Sequence, residues 1–514
     1  MTAPVTESLA ELVSSAAQRW PDDVALGAGD RNLTYAQLDR AVARIASGLL
    51  ERGLRPGNVV AVLAGTGLEF PVLAFGVLRA GGVLLPVSPG SPPREVAGLL
   101  RAARAELVLA DPQHEVTATE ATRVFDPGCG VITLDATATR SRDDGRLALR
   151  QLVGGTEVPA PAARVQAGRP AVILFSSGST ARPKGVVHSH EGLLKNAQCV
   201  AHQMAGLDHD DVMLGVLPMA HSFGLSAVLN SSLLVGARLE LLPHFDASEV
   251  WNVVQARQVT VLTGVPTMYR RIADLPEVNR ESHLRLAIVS GSACPREISR
   301  DVRRRLGIPL IERYGMTEAA PLTWRRVDDD APEGDVGWPG WGVHLRAVDQ
   351  QGQVVAAGSA GEIEVRSPGM LLRYLSAADN RAAVHDGWLR TGDLGTIRAD
   401  GGLTLGSRLK EVILQGGYTV SAREVESVIQ QHPAVAEAAV VGLPSRDMGE
   451  EIAAMVVLRS GRHADRAELW GFVGERLASW KQPRRWRIVE ELPRTSLGKV
   501  KRDEIVSSWT ESAS

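Results

Sequence analysis

Short apolar runs that favour β-strands alternate with amphipathic segments through about the first four hundred residues of the chain. The runs at 59–64, 83–87 and 106–111 are of this kind. The segment 34–53 has apolar residues at helical spacing, with Thr34 as its predicted N-cap and Gly53 as its stop. This alternation predicts an α/β fold of layered helices and buried, mainly parallel sheets.

The chain has 514 residues, which is too long for a single core, so two or more domains are expected. The pattern of predicted elements changes after about residue 405, where a predicted helix is followed by several short strands. We therefore predict a large N-terminal α/β domain over residues 1–408. A small α+β domain is predicted over 409–514.

Composition excludes several classes of protein. Apolar residues make up 44% and charged residues 22%, which are ordinary globular values, and the net charge of −3 leaves no footprint for nucleic acid. The most apolar stretch, 72–87, is interrupted by Arg79 and three glycines, so it predicts a buried helix, turn and strand and not a membrane span. Three dispersed cysteines and an N-terminus without a basic signal region favour a cytoplasmic protein, either a monomer or a homodimer.

The segment ILFSSGSTARPKGVVHSH, residues 173–190, places small hydroxyl residues, glycines and one lysine between two strand-like runs. Backbone N–H groups, hydroxyls and a lysine at close range favour an anion, so the segment predicts a phosphate-binding loop. Gly178 and Lys184 stand at the spacing of a Walker loop. However, Pro183 and Gly185 replace two Walker residues, and a strand follows where a Walker loop opens a helix. A plain surface turn does not explain the cluster of hydroxyls.

The loop resembles the phosphate loop of the adenylate-forming superfamily, which comprises acyl-CoA synthetases, luciferases and the adenylation domains of peptide synthetases. Four further segments match that family's motifs in order along the chain: ERYGMTE (312–318), GWLRTGDLG (387–395), SRLKEVILQGGYTVSAREVE (407–426) and PRTSLGKVKR (493–502). The resemblance covers nearly the whole chain and is closest in appearance to acyl-CoA ligases. It implies that the C-terminal domain is mobile and is joined to the large domain by a hinge at Lys410.

The family resemblance implies a reaction in two steps. A carboxylate first attacks the α-phosphate of ATP to give an acyl-adenylate and pyrophosphate, and a thiol then displaces AMP. Glu318 is expected to bind Mg²⁺, Thr317 to reach the α-phosphate, and Lys499 to approach the attacking carboxylate from the small domain. The remaining nucleotide-binding residues implied by the motifs are Ser177, Gly178, Ser179, Thr180, Lys184, Gly291, Ser292, Ala293, Glu312, Tyr314, Gly315, Asp393 and Arg408.

The segment LPMAHSFGLS (217–226) is expected to line the acid pocket, with His221 as an aromatic gate. Ser222 falls near the position where amino-acid-activating domains carry an aspartate, so an α-amino acid is not expected. The other walls named from the sequence are apolar and favour an aryl or a short-to-medium acyl acid: Phe223, Val265, Val289, Met316 and Pro321. The motifs look closest to malonyl-type synthetases, but the sequence alone places no buried arginine for a second carboxylate.

Coenzyme A is the expected thiol, because the small domain carries segments similar to the CoA-facing loops of CoA ligases. Those segments contain Gly416, Gly417, Tyr418 and Lys481. A carrier-protein pantetheine, an amine or nitrite are alternative acceptors. A nucleotide-sensing protein that kept the fold is a different class, and the presence of Lys184, Glu318 and Lys499 disfavours it. His188 and His190 are interpreted as strand-end residues without a zinc site, and Cys294 as a pocket residue that is not a nucleophile.

Overall fold

A computed structural model of the chain describes residues 7–126, 128–135, 146–148, 165–176, 183–278, 281–291, 294–327, 334–408, 412–415, 418–445, 449–477, 479–495 and 498–511. The chain packs into two compact units. The large unit comprises Met1–Ala331, Gly337–His344 and Arg366–Trp388, and the small unit comprises Pro332–Val336, Leu345–Val365 and Leu389–Ser514. Because the two units alternate along the chain, their boundaries do not test the predicted domain boundary at residue 408, which stays a prediction.

The strands follow one another along the chain as β1 (Val24–Ala28), β2 (Arg31–Thr34), β3 (Val59–Leu63), β4 (Val83–Val87), β5 (Ala105–Ala110), β6 (Gly130–Asp135), β7 (Arg146–Ala148), β8 (Pro170–Ser176), β9 (Lys184–Ser189), β10 (Val212–Gly215), β11 (Arg238–Leu241), β12 (Val261–Gly264), β13 (Leu286–Val289), β14 (Leu310–Met316), β15 (Ala319–Arg326), β16 (Trp338–Pro339), β17 (His344–Val348), β18 (Ala360–Arg366), β19 (Arg373–Tyr374), β20 (Val384–His385), β21 (Trp388–Ile397), β22 (Leu403–Arg408), β23 (Val412–Gln415), β24 (Tyr418–Ser421), β25 (Val435–Ser445), β26 (Gly449–Leu458) and β27 (Arg485–Val489).

The α-helices are α1 (Leu12–Arg19), α2 (Tyr35–Glu51), α3 (Glu69–Arg79), α4 (Pro93–Ala103), α5 (Glu115–Phe125), α6 (His190–Gln198), α7 (Ser231–Val235), α8 (Ala247–Ala256), α9 (Pro266–Ala273), α10 (Arg296–Leu306), α11 (Ala377–Ala383), α12 (Ala422–Gln430), α13 (Arg466–Gly474) and α14 (Arg502–Glu511). Segments Leu9–Glu11 and Ser479–Lys481 form 3₁₀ turns, and Cys199–Met204 and Phe223–Asn230 are π-helical. Among the described residues, none of the helices combines the length and the apolarity needed to cross a lipid bilayer.

The predicted elements of the first hundred residues are confirmed. The N-cap of α2 is Thr34, whose side chain accepts a hydrogen bond from the Gln37 N–H while the Gln37 side chain accepts one from the Thr34 N–H. This reciprocal capping box satisfies two backbone donors that would otherwise lack partners. The stretch 72–87 forms the end of α3, a turn and the fully buried strand β4.

Two sheets and their helices form five layers in the large unit. One sheet has the strand order β16-β15-β14-β13-β12-β10-β11-β1-β2, and the other has the order β19-β9-β8-β4-β3-β5-β6-β7. The largest apolar core contains residues of both sheets and of α2 and α3, so these helices lie between the sheets. A second core packs α8, α9 and α10 on the outer face of the first sheet, and a third packs α4 and α5 on the outer face of the second sheet. The α/β class predicted for this part is confirmed.

The first sheet is parallel from β14 through β13, β12, β10 and β11 to β1. After β10, the chain adds β11 on one side and β12 on the other, so the order reverses at β10. In open α/β sheets, ligands bind outside the carboxyl ends of strands near such a reversal. The loops that follow β10, β12, β13 and β14 therefore define the edge where a site is expected.

The small unit contains two sheets of its own. In one, β17, β18 and β21 lie in that order and β22 pairs with β21; in the other, the order is β24-β23-β26-β25, with β27 beside β26. Its core joins Val425 and Ile429 of α12 to Val440 and Val456 of the second sheet. Each apolar side chain of this size contributes roughly 1.5–3 kcal/mol when fully buried. The predicted small C-terminal α+β domain is confirmed, whereas its mobility and the hinge at Lys410, which lies outside the described residues, remain predictions.

Candidate active site

The predicted phosphate loop connects two antiparallel strands of the second sheet, β8 and β9. Ser176 at the end of β8 is the register partner of Lys184 at the start of β9, and the predicted residues Ser177, Gly178, Ser179 and Thr180 lie outside the described residues. The strand predicted after the loop is confirmed. A side chain would not fit at Gly185, because a Cβ there would lie 2.4 Å from Leu375 Cδ1. The Gly185 carbonyl accepts the Leu375 N–H at 2.8 Å.

Glu318 occupies the turn between β14 and β15 and is only 7% exposed. Its Oε1 accepts hydrogen bonds from the Tyr374 hydroxyl at 3.1 Å and the Ser176 hydroxyl at 3.3 Å, and its carbonyl accepts the Leu371 N–H at 2.7 Å. Burial first, and then the charge of Glu318, raise the pKa of Tyr374 far above its ordinary value, so this hydroxyl stays a donor. Three distant chain segments thus meet at one carboxylate.

The donor set around Glu318 fits Mg²⁺. Both side-chain hydrogen bonds fall on Oε1, and none of the described residues donates one to Oε2. Magnesium prefers hard oxygen ligands and is commonly held by one or two carboxylates together with substrate phosphates. A single buried carboxylate with one oxygen available therefore fits the ion.

Lys184 lies beside this carboxylate cluster. Its Nζ is 3.3 Å from Asp379 Oδ1 and 5.5 Å from the centre of the Tyr374 ring. Both members of the ion pair are partly exposed, with 25% of the Lys184 side chain and 33% of the Asp379 side chain accessible. The lysine is thus held near Glu318 by contacts that water reaches.

The backbone of Thr317 is held by a hydrogen bond from His188. The sequence analysis had interpreted His188 only as a strand-end residue. His188 Nε2 lies 2.8 Å from the Thr317 carbonyl oxygen, which can only accept, so Nε2 carries the proton. Burial lowers the pKa of His188 to about 4, and the imidazole is neutral at pH 7. No signal in the sequence pointed to this contact, because 129 residues separate the partners.

Glu312 and Tyr314, two of the residues predicted to surround adenine, lie on one face of β14. Glu312 Oε1 accepts the Cys294 N–H at 3.0 Å, and Glu312 Oε2 accepts from Arg325 Nη2 at 3.1 Å. Both carboxylate oxygens are therefore used to hold the backbone at Cys294 and the strand β15. Gly291 has φ +92°, which favours glycine, and it lies two residues after the end of β13.

The other residues predicted to surround adenine are only partly described. Tyr314 is half-buried, Gly315 is packed so that a Cβ would lie 3.0 Å from Ala320 Cβ, and Ser292 and Ala293 lie outside the described residues. Burial and the neighbouring Glu312 charge raise the pKa of the Cys294 thiol well above its ordinary value. A protonated, enclosed thiol is a poor nucleophile, in agreement with the interpretation of Cys294 as a pocket residue.

The residues predicted for the acid pocket occupy two different places. Phe223 and Val265 belong to the core between the sheets, and Val265 Cγ1 approaches Gly291 so closely that a Cβ there would lie 3.3 Å away. Val289 instead packs in the outer core with Tyr269 and is the register partner of Glu312, which places it on the adenine face. Its side chain is fully buried among apolar neighbours of the outer core, so it is not among the residues that we propose to contact the acid.

His221 and Ser222 precede the π-helical segment Phe223–Asn230, which follows β10. Burial lowers the pKa of His221 to about 4, and His221 Nε2 has no hydrogen-bond partner among the described residues. Gly224 permits the tight approach here, because a Cβ would lie 2.4 Å from the Pro218 carbonyl oxygen. Met316 is half-buried at the end of β14 and Pro321 is buried on β15.

Arg313 is the residue that the sequence analysis missed. It stands on β14 between Glu312 and Tyr314 and is 4% exposed, and its guanidinium carbon lies 4.7 Å from the centre of the Phe223 ring. Its Nε and Nη1 are enclosed and have no hydrogen-bond partner within the described part of the chain. Two adjacent charged residues, Glu312 and Arg313, inside the strand-like run LIERYGM were the signal that could have identified it.

Burial of Arg313 is not balanced by its neighbours. Burial lowers the pKa of Arg313 to about 10, so the guanidinium still carries its charge at pH 7. Burying one ion typically costs several kcal/mol, whereas stacking on an aromatic ring returns about 2 kcal/mol. The Cys199 thiol interacts electrostatically with Arg313, but burial raises the pKa of this thiol, so it supplies no negative charge at pH 7.

Within the small unit, Asp393 on β21 is 5% exposed and is the register partner of Arg408 on β22. The two residues predicted to contact ribose and phosphate are therefore neighbours in one sheet. Lys499 is exposed, and its backbone closes a turn with Thr495. Lys481 Nζ lies 2.5 Å from Glu424 Oε1.

The remaining residues of this unit that the motifs implicate are described only in part. Gly416 and Gly417 lie outside the described residues, and Tyr418 is described only as the first residue of β24.

Comparison with known proteins identifies the family. Residues 13–375 match the model of the AMP-binding enzyme family, and residues 424–499 match the model of its C-terminal domain. Sulfoacetate–CoA ligase of Cupriavidus necator is 31% identical over 509 residues, covering 98% of this chain and 98% of that protein. Feruloyl-CoA synthase of an Amycolatopsis species is 32% identical over 492 residues, covering 94% of this chain and 96% of that protein.

Among solved structures, an anthranilate CoA ligase in complex with anthranoyl-AMP superposes with a TM-score of 0.89, at 26% identity and over 100% of both chains. The family match, the curated CoA ligases and this fold agree with the ordered motifs of the chain. The protein therefore belongs to the AMP-binding enzyme family, the adenylate-forming superfamily, among its acid–thiol ligases.

Proposed function

We propose that this protein uses ATP and Mg²⁺ to convert a carboxylic acid without an α-amino group into an acyl-adenylate, and then transfers the acyl group to the thiol of coenzyme A. The observation that carries the proposal is that Ser176 and Tyr374 donate hydrogen bonds to the buried carboxylate of Glu318, while Lys184 Nζ lies 5.5 Å from the centre of the Tyr374 ring. This group lies at the carboxyl end of β14, beside the loop predicted to bind phosphates.

In the first step, an oxygen of the acid attacks the α-phosphorus and the bond to the pyrophosphate oxygen breaks. Two anions must approach each other, so the residues contribute mainly by neutralising charge and by positioning. Lys184 binds the β- and γ-phosphates together with the loop 177–180, and Thr317, held by His188, contacts the α-phosphate. Mg²⁺ bound at Glu318 would neutralise phosphate charge.

The acid is the part of the proposal that relatives define least. One relative is named for sulfoacetate and another for a feruloyl group, so the family alone allows small charged acids and larger aryl acids. No acidic residue lies at 217–226, which argues against an α-ammonium group in the substrate. His221, Ser222, Phe223, Val265, Met316 and Pro321 form the proposed acid-contacting set.

In the second step, the thiolate sulfur attacks the acyl carbon and AMP leaves with its phosphate oxygen. Coenzyme A is the proposed thiol because curated relatives are CoA ligases. Lys481 and the segment 416–418 are the proposed thiol-side residues. A pantetheinyl carrier protein is the alternative acceptor. We further propose a cytoplasmic monomer or homodimer.

Lys499 acts in the first step only, in this proposal, because the small domain (residues 409–514) rotates about Lys410 before the thiol enters. Replacing Lys499 by Ala should slow adenylation on the order of 10²–10³-fold. The same variant should consume a supplied acyl-adenylate and CoA at nearly the normal rate. Equal slowing of both half-reactions would contradict the rotation.

The proposed function is tested by acid-dependent exchange of labelled pyrophosphate into ATP, using aryl, aliphatic, dicarboxylic and α-amino acids. Exchange with acids that lack an α-amino group is expected. Thioester formation is then followed by mass spectrometry with coenzyme A or with a pantetheinylated carrier protein. The proposal would be refuted if only α-amino acids supported exchange, or if none of the acids supported it.

A further inference from the structure

Tyr374 is a buried residue that the sequence analysis did not assign to the site. It lies on the short edge strand β19, where it is the register partner of Val186 on β9. Its backbone N–H donates to Asn380 Oδ1 of α11 at 3.3 Å. The backbone of Tyr374 is therefore held by the strand that follows the phosphate loop on one side and by α11 on the other, which fixes the starting point of its side chain.

The hydroxyl of Tyr374 helps to decide which oxygen of Glu318 is left without a donor. It donates to Glu318 Oε1 at 3.1 Å, and the Ser176 hydroxyl donates to the same oxygen at 3.3 Å. The terminal torsion of a glutamate side chain is broad and roughly two-fold, so a carboxylate without such donors exchanges its two oxygens by rotation. Two donors from separate strands, β8 and β19, oppose that rotation. Among the described residues no side chain donates to Oε2, which stays the oxygen available to a ligand.

The ring of Tyr374 contacts the second charged group of the proposed triphosphate site. Lys184 Nζ lies over this ring, 5.5 Å from its centre, and 3.3 Å from Asp379 Oδ1. A cation within about 6 Å of the centre of an aromatic face is attracted by the ring quadrupole. One side chain thus contacts both the carboxylate proposed to bind Mg²⁺ and the lysine proposed to bind phosphate.

We infer that Tyr374 is a positioning residue for adenylation: its hydroxyl keeps Oε1 of Glu318 engaged so that Oε2 binds Mg²⁺, and its ring keeps Lys184 beside the phosphates. This inference rests on the proposed function and adds a residue that acts through two others. Tyr374 itself touches neither ATP nor the acid in this proposal. Partners that orient a metal-binding side chain typically change metal affinity about 10–100-fold when they are removed.

The experiment separates the hydroxyl of Tyr374 from its ring. Tyr374→Phe removes the hydroxyl and keeps the ring, whereas Tyr374→Leu removes both. Ser176→Ala removes the second donor to Glu318 Oε1. Tyr35→Phe is the matched control, because the Tyr35 hydroxyl is also buried and donates one hydrogen bond, to the Ala237 carbonyl at 2.8 Å, outside the proposed site.

Each protein is measured in three ways. Calorimetry gives the affinity for ATP across a magnesium titration and in EDTA, without acid and therefore without turnover. Acid-dependent pyrophosphate exchange gives kcat and the apparent KM for magnesium. Thermal midpoints report whether each variant is folded.

In Tyr374→Phe, the magnesium concentration that gives half of the gain in ATP affinity should rise about 10–100-fold. ATP affinity in EDTA should be unchanged, and saturating magnesium should restore most of the exchange rate, because Lys184 and the ring remain. Ser176→Ala should shift the magnesium dependence in the same direction. Tyr374→Leu should in addition weaken ATP binding in EDTA about two- to fivefold, through loss of a partly exposed cation–π contact. Tyr35→Phe should lower the thermal midpoint without altering the magnesium dependence.

The inference fails, with the proposed function intact, if folded Tyr374→Phe and the unaltered protein have the same magnesium dependence. It also fails if Tyr374→Phe weakens ATP binding equally in EDTA and at saturating magnesium, or if Tyr35→Phe reproduces the shift, since a general loss of packing would then explain it. If Tyr374→Phe does not fold, Ser176→Ala decides, because normal magnesium dependence in that variant would show that the donors to Oε1 do not direct the metal. If the unaltered protein exchanges pyrophosphate with none of the acids, the proposed function fails and the inference fails with it.

Discussion

On the adenine face of β14, the buried charge of Glu312 meets Arg325 and a backbone N–H. On the inner face, Arg313 is also buried and stacks on the Phe223 ring, and its Nε and Nη1 have no hydrogen-bond partner among the described residues. The two faces belong to one strand and differ by a single residue step. A charge that is neutralised within the chain stabilises the fold. A buried charge without such a partner destabilises the fold, and it remains available for a ligand. The following experiments test this difference, beginning with the largest expected effect.

Glu312→Gln should destabilise the large unit by about 3–5 kcal/mol, because it breaks the buried ion pair with Arg325 by removing the charge of one partner. The unfolding of the large unit in urea, followed by tryptophan fluorescence, measures the change. Adding Arg325→Met to Glu312→Gln should restore much of the loss. A loss below about 1 kcal/mol in the single variant would show that the ion pair does not support this face.

Glu318→Gln should reduce acid-dependent pyrophosphate exchange on the order of 10²–10³-fold, because the amide keeps the shape but loses the charge proposed to hold Mg²⁺. The apparent KM for magnesium should rise in parallel. Glu95→Gln, at an exposed site on α4, is the control and should leave exchange unaltered. Normal turnover of Glu318→Gln at limiting magnesium would exclude the role.

His188 is a buried group that gives up its charge, in contrast to Arg313. Its folded-state pKa of about 4 lies below the ordinary value, so the unfolded chain binds a proton first as the pH falls. The stability that comes from the neutral ring is present above about pH 6.5 and should decrease by about 2 kcal/mol at pH 5. His188→Gln, which can still donate an N–H to the Thr317 carbonyl, should lose about 2 kcal/mol less than the unaltered protein between pH 7 and 5. Parallel pH profiles would contradict the assignment.

Arg313→Met should change the free energy of unfolding by less than about 1 kcal/mol, or increase it, because no ion pair within the described residues is broken and an unpaired charge is removed. The measurement is the same urea titration, without acid present. Destabilisation as large as that of Glu312→Gln would mean that both faces of β14 use charge for stability. The contrast between the faces would then disappear.

Local patterns in the sequence predicted the elements well. Thr34 and Gln37 announce the start of α2, and the apolar run 83–87 is the fully buried β4. The apolar residues after Lys184 predicted the strand that follows the phosphate loop. These features depend on neighbours within a few residues, so composition and spacing are sufficient to predict them. Glu318 was singled out by the family resemblance of the ordered motifs, and its role stays a prediction.

Contacts between distant segments could not be read from the sequence in the same way. The sequence shows Arg313 only as a charge in a strand. That its Nε and Nη1 have no hydrogen-bond partner among the described residues becomes visible only in the folded structure, where Phe223 stacks on it. The register of β13 against β14 decides that Val289 shares the face of Glu312. A shift of one residue would have reversed that assignment, and nothing in the local pattern fixes it.

The ion pair between Lys184 and Asp379 has a consequence for nucleotide binding. A phosphate that takes Lys184 as its counterion competes with Asp379, and the partly exposed pair contributes no more than about 1 kcal/mol. Displacing it therefore weakens binding less than about tenfold. Salt screens both the Lys184–Asp379 pair and the proposed Lys184–phosphate pair. The two effects oppose each other, so the net influence of ionic strength on the contribution of Lys184 to ATP affinity is small. If Lys184 binds phosphate as proposed, Asp379 is an exchangeable counterion that keeps the lysine in place until a phosphate replaces it.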